Sequence, residues 1–165
     1  MKTLLLVRHA KSSWDNVDLP DIDRPLNKRG NKDAPKMAKR LAEKKIEIDA
    51  FISSPAKRAK RTAELFAKEF DKNEDKIILA SALYHASSDD FYQTIHDVEN
   101  KYNSVAIFSH NPGITYFANE IVKKVNLDNM PTCSVFAVKC DIKTWAEFKE
   151  ATKEFWFFDY PKKEN

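Results

Sequence analysis

Glycine is nearly absent: the 165 residues contain only Gly30 and Gly113. A phosphate loop or a G-x-G-x-x-G turn needs several glycines close together, so nucleotide binding of those kinds is excluded. Cysteine is as scarce. Cys133 and Cys140 are not in C-x-x-C spacing and do not make a disulfide-rich chain, which suits a reducing compartment; they read as packing residues, and no His/Cys cluster suggests zinc. Long apolar runs are missing too. The first one, Leu4–Val7, is four residues long, against about 7–15 for a signal segment and about 20 for a membrane span. It is therefore expected to be a buried strand in a soluble cytoplasmic protein with no membrane partner. Charge of one sign is lacking, with 28 basic against 25 acidic residues and a net charge of +3. That balance offers no concentrated basic face for nucleic acid. No Gly/Ser tract, repeat or low-complexity block divides the chain, so a single domain over residues 1–165 is expected.

What the chain does have is a folding composition: 42% hydrophobic residues, including eleven Phe, five Tyr and three Trp. Thr3–Val7, Ala50–Ile52 and Ser104–Phe108 read as strands covered on both faces, with Ile77–Leu79 a weaker one. Ser134–Val138 and Phe155–Phe158, rich in β-branched or aromatic residues, extend the sheet. Helices alternate with these strands. Ala34, Met37, Ala38, Leu41 and Ala42 mark the first, in whose first turn Pro35 is tolerated. Ala59, Ala63, Phe66, Ala67 and Phe70 mark the second, with Ser54 as N-cap and Pro55 at its first position. Phe91, Ile95, Val98 and Tyr102 mark the third, capped by Ser88 or Asp89. Ile114, Phe117, Ala118, Ile121, Val122 and Val125 mark the fourth, opened by Asn111 and Pro112. Alternation of this kind predicts an α/β fold, a three-layer α/β/α sandwich with a mostly parallel sheet. Ligands of such folds gather beyond the carboxyl ends of the strands.

Three strand ends there carry chemistry. The first delivers Arg8 and His9; the second is followed by Ser53-Ser54-Pro55 and Arg58; the third ends in Ser109 and His110. Two Arg, two His and two helix starts at one rim make an anion pocket, and guanidinium groups match phosphate oxygens. Lys57, Lys60 and Arg61 read as a solvated helix face around Arg58. Arg24 reads as an ion-pair partner of Asp21 or Asp23, with the pocket mouth as the alternative.

Leu4-Leu5-Leu6-Val7-Arg8-His9-Ala10 resembles the opening of the histidine phosphatase superfamily, the phosphoglycerate-mutase-like fold. Ser53-Ser54-Pro55-Ala56-Lys57-Arg58-Ala59-Lys60-Arg61-Thr62-Ala63 is similar to its S-S-P-x-x-R-A-x-x-T-A element. Asp23-Arg24-Pro25-Leu26-Asn27-Lys28-Arg29-Gly30 is similar to its R-P-L-x-x-x-G segment. Ser109-His110-Asn111-Pro112-Gly113 resembles the second-histidine motif of the SixA-like phosphohistidine phosphatases. The resemblance implies that His9 is a nucleophile passing through a phosphohistidine intermediate. It implies that Arg8 and Arg58 clamp the phosphoryl oxygens and that His110 donates as charge builds up. Ser12 and Asn111 are added as candidate substrate contacts, with Asp15 near them. No metal and no cofactor are expected, because the arginines supply the charge.

Two positions depart from the family pattern: Ala10 stands where glycine is usual, and the loop Ser81–Asp89 lacks the acidic general acid of the larger branches. His85, Asp89, Asp21 and Asp23 are the available donors, and none is singled out. A site without a strong acid suits phosphohistidine or aryl phosphates, whose leaving groups need no added proton. The expected function is thus a monomeric phosphatase acting on phosphohistidine proteins or small phosphate monoesters. The alternatives are a phosphoglycerate or sugar phosphate mutase, and a non-catalytic phosphate-binding module.

Overall fold

Strand β1, Lys2–Arg8, lies inside a six-stranded sheet and sends alternate side chains to opposite faces. Leu4 and Leu6 join one buried cluster with Phe91, Ile95, Phe117 and Ile121, while Leu5 and Val7 join a second with Met37, Leu41 and Phe66. A continuously apolar strand therefore needs a helical layer on each side, and the computed structural model, which describes residues 1–163, has both.

The other strands are β2 (Ala50–Ser53), β3 (Ile78–Leu79), β4 (Ser104–Ser109), β5 (Val135–Cys140) and β6 (Glu154–Asp159). Their order across the sheet is β3-β2-β4-β1-β5-β6. The first four strands are mutually parallel; β5 runs antiparallel to β1, and β6 antiparallel to β5. The mostly parallel three-layer sandwich expected from the alternation is the fold observed. At its edge Phe155-Trp156-Phe157-Phe158 is only half-buried, because β6 is the last strand; Trp156 lies under the Lys139 ammonium, 3.9 Å from its ring centre.

The helices are α1 (Lys28–Glu43), α2 (Lys57–Glu69), α3 (Ser88–His96) and α4 (Gly113–Ile121). Their starts correct several sequence expectations. Helix α1 begins early because the Asn27 side chain accepts from the Gly30 N–H at 2.9 Å. Pro35 consequently sits inside the helix and not in its first turn, where it removes the donor for the exposed Asn31 carbonyl. Helix α2 starts after Ala56, so Ser54 and Pro55 precede it; the Ser54 hydroxyl instead turns the approach by accepting from Ala56 N–H. The cap of α3 is Ser87, in a reciprocal box with Asp90, and neither Ser88 nor Asp89. In α4 Pro112 takes the cap position, and the side chain of Asn111 bonds elsewhere. Val98, Tyr102 and Val125 lie beyond the helix ends and pack against the core from loops. Among the described residues no helix is long and apolar enough to cross a membrane.

Register is what builds the rim. Arg8 pairs with Ser109 and Ser53 with Phe108, so the last residues of β1, β4 and β2 stand side by side. His9 N–H donates to Ser109 O and Ser54 N–H to Phe108 O, carrying the ladder one residue past each strand. Both glycines serve this end of the molecule. A Cβ on Gly30 would run into the Lys11 carbonyl just after the His9 turn, and one on Gly113 into the Ala86 carbonyl of the facing loop.

Candidate active site

His9 is held in one tautomer. Its Nδ1 lies 2.7 Å from the Ala10 carbonyl, which can only accept, so Nδ1 carries the proton and Nε2 keeps its lone pair. The turn beneath it is fixed from α2: Ala10 N–H donates to Thr62 Oγ1, and Thr62 Oγ1 donates to the Arg58 carbonyl. Ala10 itself is fully buried, so alanine is accommodated where the family pattern has glycine. Burial, helped by the charges of Arg58, Arg8 and Arg24, pushes the His9 pKa down to about 3 against the pull of the Ala10 hydrogen bond. The ring is therefore neutral at pH 7, as a nucleophile must be.

Arg8, Arg58 and His110 surround it. The His9 and His110 rings are 5.1 Å apart. Arg8 Nη1 donates to the Met130 carbonyl at 2.9 Å, and burial together with Arg58 lowers its pKa. Arg58 Nη1 and Nη2 donate to the Asp21 carbonyl and to Asp21 Oδ2, at 2.7 and 3.0 Å. His110 Nε2 meets the Ser54 hydroxyl at 2.7 Å. One buried nitrogen on each of the three residues has no protein partner: Arg8 Nε, Arg58 Nε and His110 Nδ1. Unpaired buried polar groups are costly, and these three belong to the cationic and imidazole side chains next to His9, whose chemistry suits an anion. Helices α2 and α4 begin beside it with no side-chain cap.

The structure adds residues that sequence reasoning left at the margin. The Asp21 carboxylate ties the mouth together: Oδ1 accepts from Arg24 Nε at 3.1 Å, and Oδ2 accepts from both Arg58 and the Tyr84 hydroxyl, the latter at 2.6 Å. Tyr84, Arg58 and Arg24 hold that carboxyl well below the usual carboxylate range, and Tyr84 in turn has its pKa raised by Asp21. Arg24 is buried, as an ion-pair partner of Asp21, and is covered by the Trp14 ring at 3.6 Å from its Cζ. Ser12 reaches the site through Arg24, whose Nη1 donates to its hydroxyl at 2.7 Å. Asn111 donates to Asn129 Oδ1 and to the Met130 carbonyl and accepts from Thr115, so it anchors the carbonyl on which Arg8 is seated. His85 is exposed and packs its ring at a tilt against Tyr84, while Asp15, Asp23 and Asp89 are exposed and form no side-chain hydrogen bond to the pocket residues. Tyr84 carried no sequence signal beyond its place in a loop, and Ser54, expected as a helix cap within the S-S-P element, is found holding the His110 ring.

Residues 4–84 match the family model described as histidine phosphatase superfamily (branch 1). The chain belongs to the histidine phosphatase superfamily. Over 70 residues it is 40% identical to an uncharacterized chloroplastic protein of Arabidopsis thaliana, covering 42% of this chain and 32% of that one. Over 84 residues it is 29% identical to a 2,3-bisphosphoglycerate-dependent phosphoglycerate mutase of Bartonella tribocorum, covering 50% and 41%. The matches thus span well under two thirds of these relatives. In fold it is similar to the protein histidine phosphatase SixA complexed with tungstate, with a TM-score of 0.82 at 21% identity over 96% of this chain and 97% of that one. Membership in the superfamily supports an enzyme of the phosphatase or mutase type.

The pocket also predicts a pH response. The His110 pKa, like that of His9, is lowered to about 3, by burial first and then by His9 and Arg58. Both rings bind a proton less readily in the fold than in the unfolded chain, whose histidines titrate near about 6.5. Stability is therefore full above about 6.5 and falls as pH drops towards 3. Thermal melts between about pH 7 and 4 should show that fall, with a shallower slope in His110→Gln; equal slopes would contradict it.

Proposed function

We propose that the chain is a metal-independent phosphatase that takes a phosphoryl group onto His9 Nε2 and releases it to water. Its substrates are phosphohistidine proteins or small phosphate monoesters, and it acts as a cytoplasmic monomer. The observation that carries this reading is a neutral imidazole with its Nε2 left free, beside Arg8, Arg58 and His110, each of which keeps one buried nitrogen without a protein partner. Phosphoryl transfer needs positioning and charge stabilisation above all, and these groups offer both. His110 adds a donor whose strength grows with charge on the transferring oxygens, and Ser54 holds its ring.

The preference for phosphohistidine rests on the leaving group. In the free enzyme Asp21 is held ionised by Tyr84 and two arginines, and His85, Asp23 and Asp89 do not bond the pocket. An alkoxide would have to leave without a proton, whereas a protonated imidazole or a phenolate leaves unaided. Turnover of a phosphohistidine protein and an aryl phosphate should therefore exceed that of an alkyl phosphate by about 10²-fold or more. Equal or faster turnover of the alkyl phosphate overturns the preference. The likeness to a phosphoglycerate mutase keeps a mutase as the second reading. A labelled phosphate appearing on an added hydroxy acid, and not in water, would favour it.

A further inference from the structure

A phosphatase of this kind has a second half-reaction in which water attacks phosphorylated His9, and the sequence supplies no obvious group to receive the water's proton. We propose that Asp21 is that general base. The inference rests on the reading that His9 carries the phosphoryl group.

Among the described residues Asp21 is the one acidic side chain bonded to pocket residues. It joins Arg58 and Arg24 and accepts from Tyr84, whose ring is 5.5 Å from that of His110. Its position relative to solvent is the reverse of the nucleophile's. His9 is 6% exposed and forms the floor, while the Asp21 side chain is 45% exposed at the mouth. The attacking water is placed on that open side, opposite the P–N bond, as in-line transfer requires.

At rest the carboxylate is a counter-ion, too well solvated by donors to be a useful base. Phosphorylation changes its surroundings. The phosphoryl oxygens draw donors from Arg58, and a second anion comes to stand near Asp21. Both changes raise the proton affinity of its carboxylate, so basicity appears only once there is an intermediate to hydrolyse. The step balances: the water oxygen bonds to phosphorus, the P–N bond breaks with its electron pair returning to His9 Nε2, and one water proton passes to Asp21. Orthophosphate leaves, Asp21 gives the proton to solvent, and His9 regains the tautomer of the free enzyme. No donor is needed in the first half-reaction with a phosphohistidine or aryl substrate, so the effect of Asp21 on chemistry falls in the second.

The test separates the two half-reactions in Asp21→Asn by rapid quench with a labelled aryl phosphate, after a melt to check folding. Label on His9 should form within a few-fold of the parent rate and decay about 10²-fold more slowly, so that the phosphoenzyme accumulates. In Asp21→Ala, added formate should accelerate the decay, which a positioning role does not predict. Equal slowing of formation and decay, or unchanged decay, overturns the proposal and leaves Asp21 as a support for Arg58. Should Asp21→Asn fail to fold, formate rescue in Asp21→Ala decides by the same criterion. If the parent turns over substrate without ever labelling His9, the underlying reading fails, which is a separate outcome.

Discussion

His9→Ala is expected to lose phosphate release from every substrate class, by on the order of 10⁵-fold, the scale on which removing a covalent nucleophile acts. The reason is local. His9 Nε2 is the unprotonated nitrogen left free when Nδ1–H donates to the Ala10 carbonyl, which fixes the tautomer. Neighbouring His110 is not expected to replace it: with Nε2 accepting from the Ser54 hydroxyl, Nδ1 carries the proton and is a donor, not a nucleophile. The anion site should survive the change. Arg8, Arg58 and His110 are seated by Met130, Asp21 and Ser54 and not by His9. Orthophosphate or tungstate should therefore still protect His9→Ala against thermal unfolding. Loss of that protection together with activity would mean that His9 shapes the pocket.

Arg58→Ala should lower kcat/KM by about 10²–10³-fold, the usual effect of removing one preorganised donor from a developing anion. Two things go at once. The phosphoryl group loses a planar donor, and Asp21 loses the partner that donates to both its backbone and side-chain oxygens. Arg58→Lys should recover little, since a compact ammonium lacks the planar, forked donors with which a guanidinium spans the carbonyl, the carboxylate and the phosphoryl oxygen. Both variants are to be assayed with an aryl phosphate against parent, with melts to show that α2 still packs. Near-parent turnover in Arg58→Lys would show that charge alone suffices, and near-parent turnover in Arg58→Ala would remove Arg58 from the site.

The sheet could be read from the sequence because local pattern decides it. Four apolar residues running into Arg8-His9 have few alternatives to a central strand, and register then sets His110 beside His9. Helix starts were less legible. Asn27 outcompetes the later start suggested by the apolar spacing, and Ser54 resembles a cap but is used to turn the chain before Ala56 and to hold His110. The mouth of the pocket was the least legible part. Asp21 meets Arg58 and Tyr84 across long stretches of chain, and an exposed Asp in a loop has no pattern that announces two arginines and a tyrosine around it. Gly30 and Gly113 illustrate the same limit. Their scarcity excluded nucleotide folds, but only the packed backbone shows that each admits a carbonyl where a side chain would clash.

The most direct measurement is to mix the protein with a labelled phosphohistidine or aryl phosphate donor, quench in base, and locate the bound phosphate by peptide mapping. The account predicts an alkali-stable, acid-labile phosphate on His9 that is chased by unlabelled donor and is absent from His9→Ala. Turnover by the parent without such a label, or the same label in His9→Ala, would contradict it.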